Sequence, residues 1–304
     1  MGFALLFSGQ GMQHPAMLPW LEPDDPLVRA VAGPGGADWR GALADAAWAG
    51  ANAHAQPLLV GLGLAAWGRL APGLPAPAAV AGYSVGELSA CAAAGVFDAA
   101  TALELAHARA AAMDHCIDGA VPARMAAVSG LGEGAVAALC ERFGLAVAIH
   151  NGPGNVVLGG AAEALVSALE QAGAAGASCT PLNVRVPSHT HWMAGAAQVF
   201  SQVLRPLPFA RPQVPLWSAA LGTPLADGEA ARQALAFQID HALHWDACME
   251  GIAARRPHCV LEVGPGHALA RMWQRAFPEI PARSADEFRS AAAVRTWVQR
   301  ALED

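Results

Sequence analysis

The sequence predicts an α/β fold in two parts: a large domain on a parallel sheet, formed by residues 1–123 and 188–304, and a small ferredoxin-like domain inserted over 124–187. Three observations predict it. Strand-like apolar runs alternate with helical ones up to about residue 120, the pattern of a parallel sheet with crossover helices. From Arg124 the texture changes to β-α-β-β-α-β within about 60 residues, with Asn151-Gly152-Pro153-Gly154 as a hairpin turn at its centre. After Pro187 the α/β alternation resumes.

In order, the first strand is Phe3 to Phe7, ended by Ser8-Gly9-Gln10-Gly11. This apolar start is short and has no basic n-region, the first arginine being Arg29, so it reads as a strand and not as a signal peptide. A helix from about Gln56 to Leu70, a strand at Ala78 to Gly82 and helices at Val85 to Ala94 and Ala99 to Cys116 follow. The inserted part reads as strand Met125 to Ser129, helix Gly134 to Phe143, strands Ala146 to His150 and Asn155 to Leu158, helix Ala161 to Ala172 and strand Ser178 to Val184. Then come a helix from about Met193 to Val203, a strand at Val214 to Ser218, helices near 229–239 and 246–254, the strand Cys259 to Val263 and a helix over 267–276.

Composition removes several classes of function. The 304 residues carry 18 basic side chains, all arginine, so Schiff-base chemistry, a phosphate-loop lysine and pyridoxal phosphate attachment are excluded. A net charge of −7 with scattered arginines argues against nucleic acid as a partner. The six cysteines include no C-x-x-C pair and several sit among alanines and leucines, which fits a reducing, cytoplasmic setting. No strongly apolar stretch of membrane-spanning length occurs, so no membrane is expected.

Gly82-Tyr83-Ser84-Val85-Gly86 is Gly-x-Ser-x-Gly between a strand and a helix. Such an elbow exposes the serine hydroxyl on a sharp turn and points the next helix's N-terminus at it, giving the large domain an α/β-hydrolase-like character. A nucleophilic serine needs a base and an oxyanion site. His189, in Val186-Pro187-Ser188-His189-Thr190-His191 at the junction of the two parts, is one candidate base. His267 with Asp240 or Asp246 is the rival in a hydrolase-like order, and His189 with His191 is alternatively half of a metal pair lacking a third ligand. Val85 N–H and the loop Ser8 to Gln13 offer oxyanion donors. Arg109 lies in an apolar stripe with Leu105, Ala106, Ala112 and Met113. Either its stem snorkels, or its fork awaits a carboxylate and selects a dicarboxylic acyl group such as malonyl.

Taken together, Gly9-Gln10-Gly11-Met12-Gln13, Gln56-Pro57, Gly82 to Glu87, Arg109, Asn151, Pro187-Ser188-His189 and Val263-Gly264-Pro265-Gly266 resemble the malonyl-CoA:acyl carrier protein transacylase family, in its order and approximate spacing along essentially the whole chain. The resemblance implies Ser84 as the acylated nucleophile, His189 rather than His267 as base, Gln10 and Val85 as oxyanion donors and Arg109 on the malonyl carboxylate. Gln56, Asn151 and His244 join them as substrate-binding positions. It implies a ferredoxin-like insertion, no bound cofactor and no metal. Malonyl-CoA and the phosphopantetheine-type thiol of an acyl carrier protein are the implied substrates, with Arg185, Arg271 and Arg275 as a docking patch.

Three residues depart from the family pattern: Ser8 for proline, Tyr83 for histidine and His244 for glutamine before Trp245, near which a backbone carbonyl is expected to orient the histidine. Ser8 and Tyr83, together with Gly9-Gln10-Gly11-Met12-Gln13-His14-Pro15 and Pro187-Ser188-His189-Thr190, look more like the branch serving malonate decarboxylase, its epsilon subunit, in which the receiving thiol would belong to a dephospho-CoA-derived group on a small carrier subunit. Malonyl transfer in fatty-acid or polyketide synthesis is the alternative. A thioesterase-type hydrolase and a subunit that only docks a carrier are readings from other classes.

Overall fold

The computed structural model of the chain describes residues 2–32, 38–117 and 121–303. Its eleven described strands are β1 (Phe3–Phe7), β2 (Ala79–Gly82), β3 (Ala123–Ser129), β4 (Ala146–Gly152), β5 (Asn155–Ala161), β6 (Ser178–Pro181), β7 (Leu216–Ser218), β8 (Thr223–Pro224), β9 (Leu243–His244), β10 (Cys259–Val263) and β11 (Ala282–Ser284). They form two mixed sheets in an α/β protein, ordered β11-β10-β1-β2-β7-β8 and β6-β3-β5-β4-β9.

In the first sheet the strands from β11 to β7 are parallel and only β8 runs antiparallel, against β7. β1 is its axis, and Phe-Ala-Leu-Leu-Phe is buried throughout, as a strand covered on both faces requires. Phe7 stands opposite Gly82 of β2 and Val263 of β10. Three carboxyl ends therefore finish level, and the loops that follow them, from Ser8, Tyr83 and Gly264, share one edge. That edge is where open parallel sheets hold their ligands.

The second sheet has antiparallel β6-β3, β3-β5 and β5-β4 pairs and a parallel β4-β9 pair. Period-two alternation separates its faces. Ala126, Val128, Val156 and Leu158 face a small core with the helices Glu133–Phe143 and Ala162–Ala174. Met125, Ile149 and Val157 face the large core instead.

The helix Ala99–Cys116 has the bounds expected from sequence. Asp98 caps it by accepting the Thr101 N–H at 2.7 Å, and Leu105, Ala106, Arg109, Ala112 and Met113 are buried as one stripe. It packs against the helix Asn52–Leu70, which starts four residues before the expected Gln56.

Several expectations need correction. The strand expected over 178–184 stops at Pro181, whose ring nitrogen has no hydrogen to extend a ladder; Leu182 and Val184 turn inward instead. β8 and β9 are two-residue strands too short to show periodicity, and β9 joins the second sheet from beyond residue 187. The C-terminal helix Ala291–Glu303, and β11 before it, were not anticipated.

The elbow is where backbone sterics are tightest. A Cβ on Gly82 would sit 2.1 Å from the Gly86 carbonyl carbon, and one on Gly86 would sit 2.4 Å from the Phe7 carbonyl oxygen. Gly86→Ala is expected to cost about 1–3 kcal/mol by overpacking, measured by chemical denaturation. Gly134→Ala, where nothing lies within 4 Å and the residue is helical, should be neutral or stabilise by up to about 1 kcal/mol. Equal effects from the two substitutions would show that the elbow is not tightly packed.

Candidate active site

Ser84 sits between β2 and the helix Gly86–Ala93 with φ +54°, in the left-handed region that a serine adopts only when its surroundings force it. The Gly86 N–H donates to the Tyr83 carbonyl at 3.0 Å and the Glu87 N–H to the Ser84 carbonyl at 3.0 Å, closing the turn. The hydroxyl is thereby lifted off the sheet edge.

His189 is 1 % exposed and also has a positive φ, +63°. Its Nε2 lies 2.8 Å from Ser84 Oγ, and its Nδ1 is hydrogen-bonded to the backbone carbonyl of Gln238. A carbonyl only accepts, so the proton rests on Nδ1 and Nε2 presents a lone pair to the serine O–H. The His189 N–H donates to the Ile239 carbonyl at 2.9 Å, so backbone and ring are pinned to one segment. Burial first, then the Arg109 charge, pushes the imidazole down to about 3, against the opposing effect of Gln238. The ring is a neutral acceptor near pH 7.

Arg109 is 2 % exposed. It does not snorkel: one Nη donates to Gln56 Oε1 at 2.8 Å, the other lies 3.4 Å from both Ser84 Oγ and Gln238 Oε1, and its buried Nε has no partner among the described residues. Burial lowers its pKa to about 10, offset by the charge of Glu87, so it stays cationic near neutrality. A buried guanidinium with weak or missing partners is a site short of an anion. Gln56 holds one arm of the fork in place.

Gln10 lies in the turn after β1, which is tied down by its own side chains. Gln10 Nε2 donates to the Gly50 carbonyl at 3.2 Å and Gln13 Nε2 to the Ala49 carbonyl at 2.7 Å. Among the described residues, no backbone acceptor takes the amide N–H of Gln10 or of Val85, and both residues line the cleft over Ser84. Leu182, Val184, Met125 and Ile149 close the opposite wall. The cleft is thus built from both sheets, apolar on one side and polar on the other.

Asn151 and His244 lie outside this cleft. Asn151, at the end of β4, accepts from Tyr83 Oη at 3.1 Å and lines a neighbouring depression with Met272 and Arg275. His244 stacks on His150 with ring centroids 5.1 Å apart and planes 3° from parallel. The carbonyl that orients the histidine is therefore not beside His244 but on Gln238, six residues earlier. Asp240 pairs with His241 at 2.7 Å and Asp246 accepts the Ala247 N–H at 2.8 Å, and among the described residues neither is hydrogen-bonded to His267. His191 lies against Trp192 with ring centroids 4.1 Å apart and planes tilted by 36°, and no metal-holding cluster occurs among the described residues. Arg185, Arg271 and Arg275 are all exposed.

Two residues at the site carried no role in the sequence reading. Gln238 had no signal at all. Glu87 had the same one as Arg109, a charge in an apolar helix: it is 3 % exposed, accepts the Ala219 N–H at 2.6 Å and also accepts from Gln238 Nε2.

Comparison with known proteins identifies the family. A family model described as the acyl transferase domain matches residues 49–302. The malonyl CoA-acyl carrier protein transacylase of Escherichia coli (strain K12) is 32% identical over 309 residues, covering 96% of this chain and 98% of its own. The protein of the same description from Mycobacterium tuberculosis (strain ATCC 25618 / H37Rv) is 32% identical over 289 residues, covering 92% and 95%. Among solved structures, malonyl-CoA:acyl carrier protein transacylase from Xanthomonas oryzae pv. oryzae superposes with a TM-score of 0.87 at 28% identity over 99% of both chains. A type II PKS acyl-carrier protein in complex with its malonyl-transacylase gives 0.88 at 28% identity, covering 97% of this chain and 99% of that one. The chain belongs to the malonyl-CoA:acyl carrier protein transacylase family of acyl transferases.

Proposed function

We propose that the chain moves a malonyl group from malonyl-CoA, through an ester on Ser84, to the thiol of an acyl carrier protein. The observation that carries this reading is the convergence on one hydroxyl: Ser84 Oγ is 2.8 Å from His189 Nε2 and 3.4 Å from an Arg109 Nη. Nucleophile, base and a cation suited to a free carboxylate meet within one substrate's reach.

In the first half-reaction the Ser84 proton passes to His189 Nε2 as Oγ attacks the thioester carbon. The oxyanion is received by the Gln10 and Val85 amides. Collapse expels the CoA thiolate, which takes the proton from the imidazolium. In the second half, the carrier thiol gives its proton to Nε2, attacks the Ser84 ester and restores the hydroxyl. No cofactor is required, because the thioester already carries the activation. Arg109, steadied by Gln56, holds the distal carboxylate throughout. The apolar wall of Met125, Ile149, Leu182 and Val184 keeps water from the ester, which favours transfer over hydrolysis.

The same reading extends to organisation and partner. The second sheet's order, β6-β3-β5-β4 with its two covering helices, supports a ferredoxin-like unit over 124–187 set into an α/β-hydrolase-like domain of 1–123 and 188–304. An acidic carrier would dock near Arg271 and Arg275, the latter beside Asn151 at the mouth of the neighbouring depression. The six cysteines are all free, which supports a reducing cytoplasm, and no described helix is long and apolar enough to cross a membrane.

Fatty-acid or polyketide-type malonyl transfer is the context the named relatives support. A malonate decarboxylase context rests on Ser8, Tyr83 and the segments Gly9 to Pro15 and Pro187 to Thr190, and the first two have local partners: Ser8 donates to Glu262 at 2.8 Å and Tyr83 to Asn151 at 3.1 Å. Loading a phosphopantetheine carrier faster than one bearing a dephospho-CoA-derived group decides for the first context; the reverse order decides for the second.

Ser84→Ala is expected to abolish malonyl loading read by intact mass, and a malonylated mass persisting in that variant would sink the mechanism. In the wild type the acyl-enzyme should survive in water until a carrier is added, whereas prompt release of malonate identifies a hydrolase. Arg109→Ala should lose about 10- to 150-fold in kcat/KM for malonyl-CoA, the worth of about 1.5–3 kcal/mol in charged hydrogen bonds, while acetyl-CoA turnover is kept or gained. Equal losses for both thioesters would make Arg109 a structural residue.

A further inference from the structure

Glu87 is the acid that this chemistry leaves without a task. It lies in the first turn of the helix that follows the nucleophile and is 3 % exposed. A buried carboxylate is costly, and an apolar side chain would pack more cheaply beside Cys91 and Cys248. Both of its oxygens are engaged, one by the Ala219 N–H at 2.6 Å and the other by Gln238 Nε2. Gln238 in turn offers Oε1 to Arg109 at 3.4 Å and its backbone carbonyl to His189 Nδ1. One carboxylate thus reaches both the base and the cation through a single intermediate residue.

A glutamine carboxamide has a donor end and an acceptor end, and nothing in its shape decides which faces Arg109. Reversed, it would aim an NH2 group at a guanidinium, donor against donor. An ionised carboxylate only accepts, so it admits one orientation. We propose that Glu87 is a positioning residue: by accepting from Gln238 Nε2 it locks Oε1 onto Arg109 and steadies the carbonyl on His189, holding the Ser84 dyad and the carboxylate-binding fork in one register. The Arg109 half of this inference rests on the proposed malonyl transfer; the dyad half does not.

The lock requires an ionised Glu87. Burial pushes its carboxyl up to about 7, against the lowering effects of the Ala219 N–H and of Arg109. The titratable groups that face it are Arg109, Cys248 on the helix Trp245–Ala253, Cys91 on its own helix and His189 behind Gln238. Burial holds both thiols well above their ordinary value, Arg109 titrates at about 10 and His189 at about 3. Glu87 is therefore the member of this group that changes charge near neutrality. As pH falls through about 7 it gains a proton, and a neutral carboxyl, which can donate as well as accept, no longer admits only one orientation of Gln238, so the lock is released.

The test uses the full chain and two probes: phenylmethanesulfonyl fluoride, a neutral reagent whose rate of Ser84 sulfonylation reports the dyad alone, and malonyl-CoA loading. In the wild type the sulfonylation rate should rise with pH through an inflection near 7. Glu87→Gln should abolish the inflection, slow sulfonylation about 10-fold or more at pH above it and raise KM for malonyl-CoA, with thermal midpoint retained. The exchange Glu87→Gln with Gln238→Glu restores one acceptor and one donor, so sulfonylation should recover while KM stays high, the new carboxylate occupying Arg109. Should Glu87→Gln not fold, Gln238→Met keeps the backbone carbonyl, deletes the carboxamide and should likewise remove the inflection. A folded Glu87→Gln with wild-type sulfonylation and pH profile, or an inflection that survives Gln238→Met, overturns the inference. Failure of malonyl-CoA to load a wild type that shows the expected sulfonylation profile would instead overturn the substrate assignment.

Discussion

The arrangement depends on how closely the helix Gly86–Ala93 approaches the end of the first sheet. With no Cβ at Gly82 or Gly86, strand and helix meet at backbone contact, with the Phe7 and Ser8 carbonyls against Gly86. That contact leaves Ser84 no room for ordinary dihedrals and carries it to positive φ, where its hydroxyl clears the strand end. The same closeness sets Val85 and the loop after β1 on one cleft, so Gln10, Ser84 and Val85 line it together.

Around that point the charges are balanced by burial. Arg109, Glu87 and His189 are all nearly inaccessible, and each is displaced in the direction that opposes its charged form: the guanidinium and imidazole down, the carboxyl up. Arg109 and Glu87 compensate each other in part. Among the described residues His189 has no acid behind it; the Gln238 carbonyl fixes the tautomer without adding a charge. A thiolate leaving group needs little protonation to depart, which lessens the need for an imidazolium that burial and the Arg109 charge both disfavour.

Much of this was legible in the chain. The Gly-x-Ser-x-Gly context located Ser84, the helix over Ala99 to Cys116 keeps the bounds read from its pattern, and the apolar stripe around Arg109 raised two readings of which burial selects the one without snorkelling. What escaped notice depends on contacts between distant segments. Gln238 acts through a backbone carbonyl and a carboxamide whose partners, His189, Glu87 and Arg109, are remote in sequence, and no periodicity encodes that. Asn151 and His244 do not line the Ser84 cleft themselves: Asn151 stands behind Tyr83 and His244 stacks on His150. β9 was invisible because a two-residue strand has no pattern to show.

That short strand has a consequence for how the molecule assembles. Its Leu243 pairs with Ile149, so an edge of the second sheet is supplied by chain that emerges only after the segment Ala194–Leu204 and the helix Gly228–Phe237. The four earlier strands and their two helices can collapse on their own small core as they are made. The wall they turn toward Ser84 is fastened only when synthesis has passed residue 244. The first sheet waits longer still, since β1 gains its second neighbour only with β10, so the strand ends around Ser84 and the wall that faces them are both completed by the last quarter of the chain.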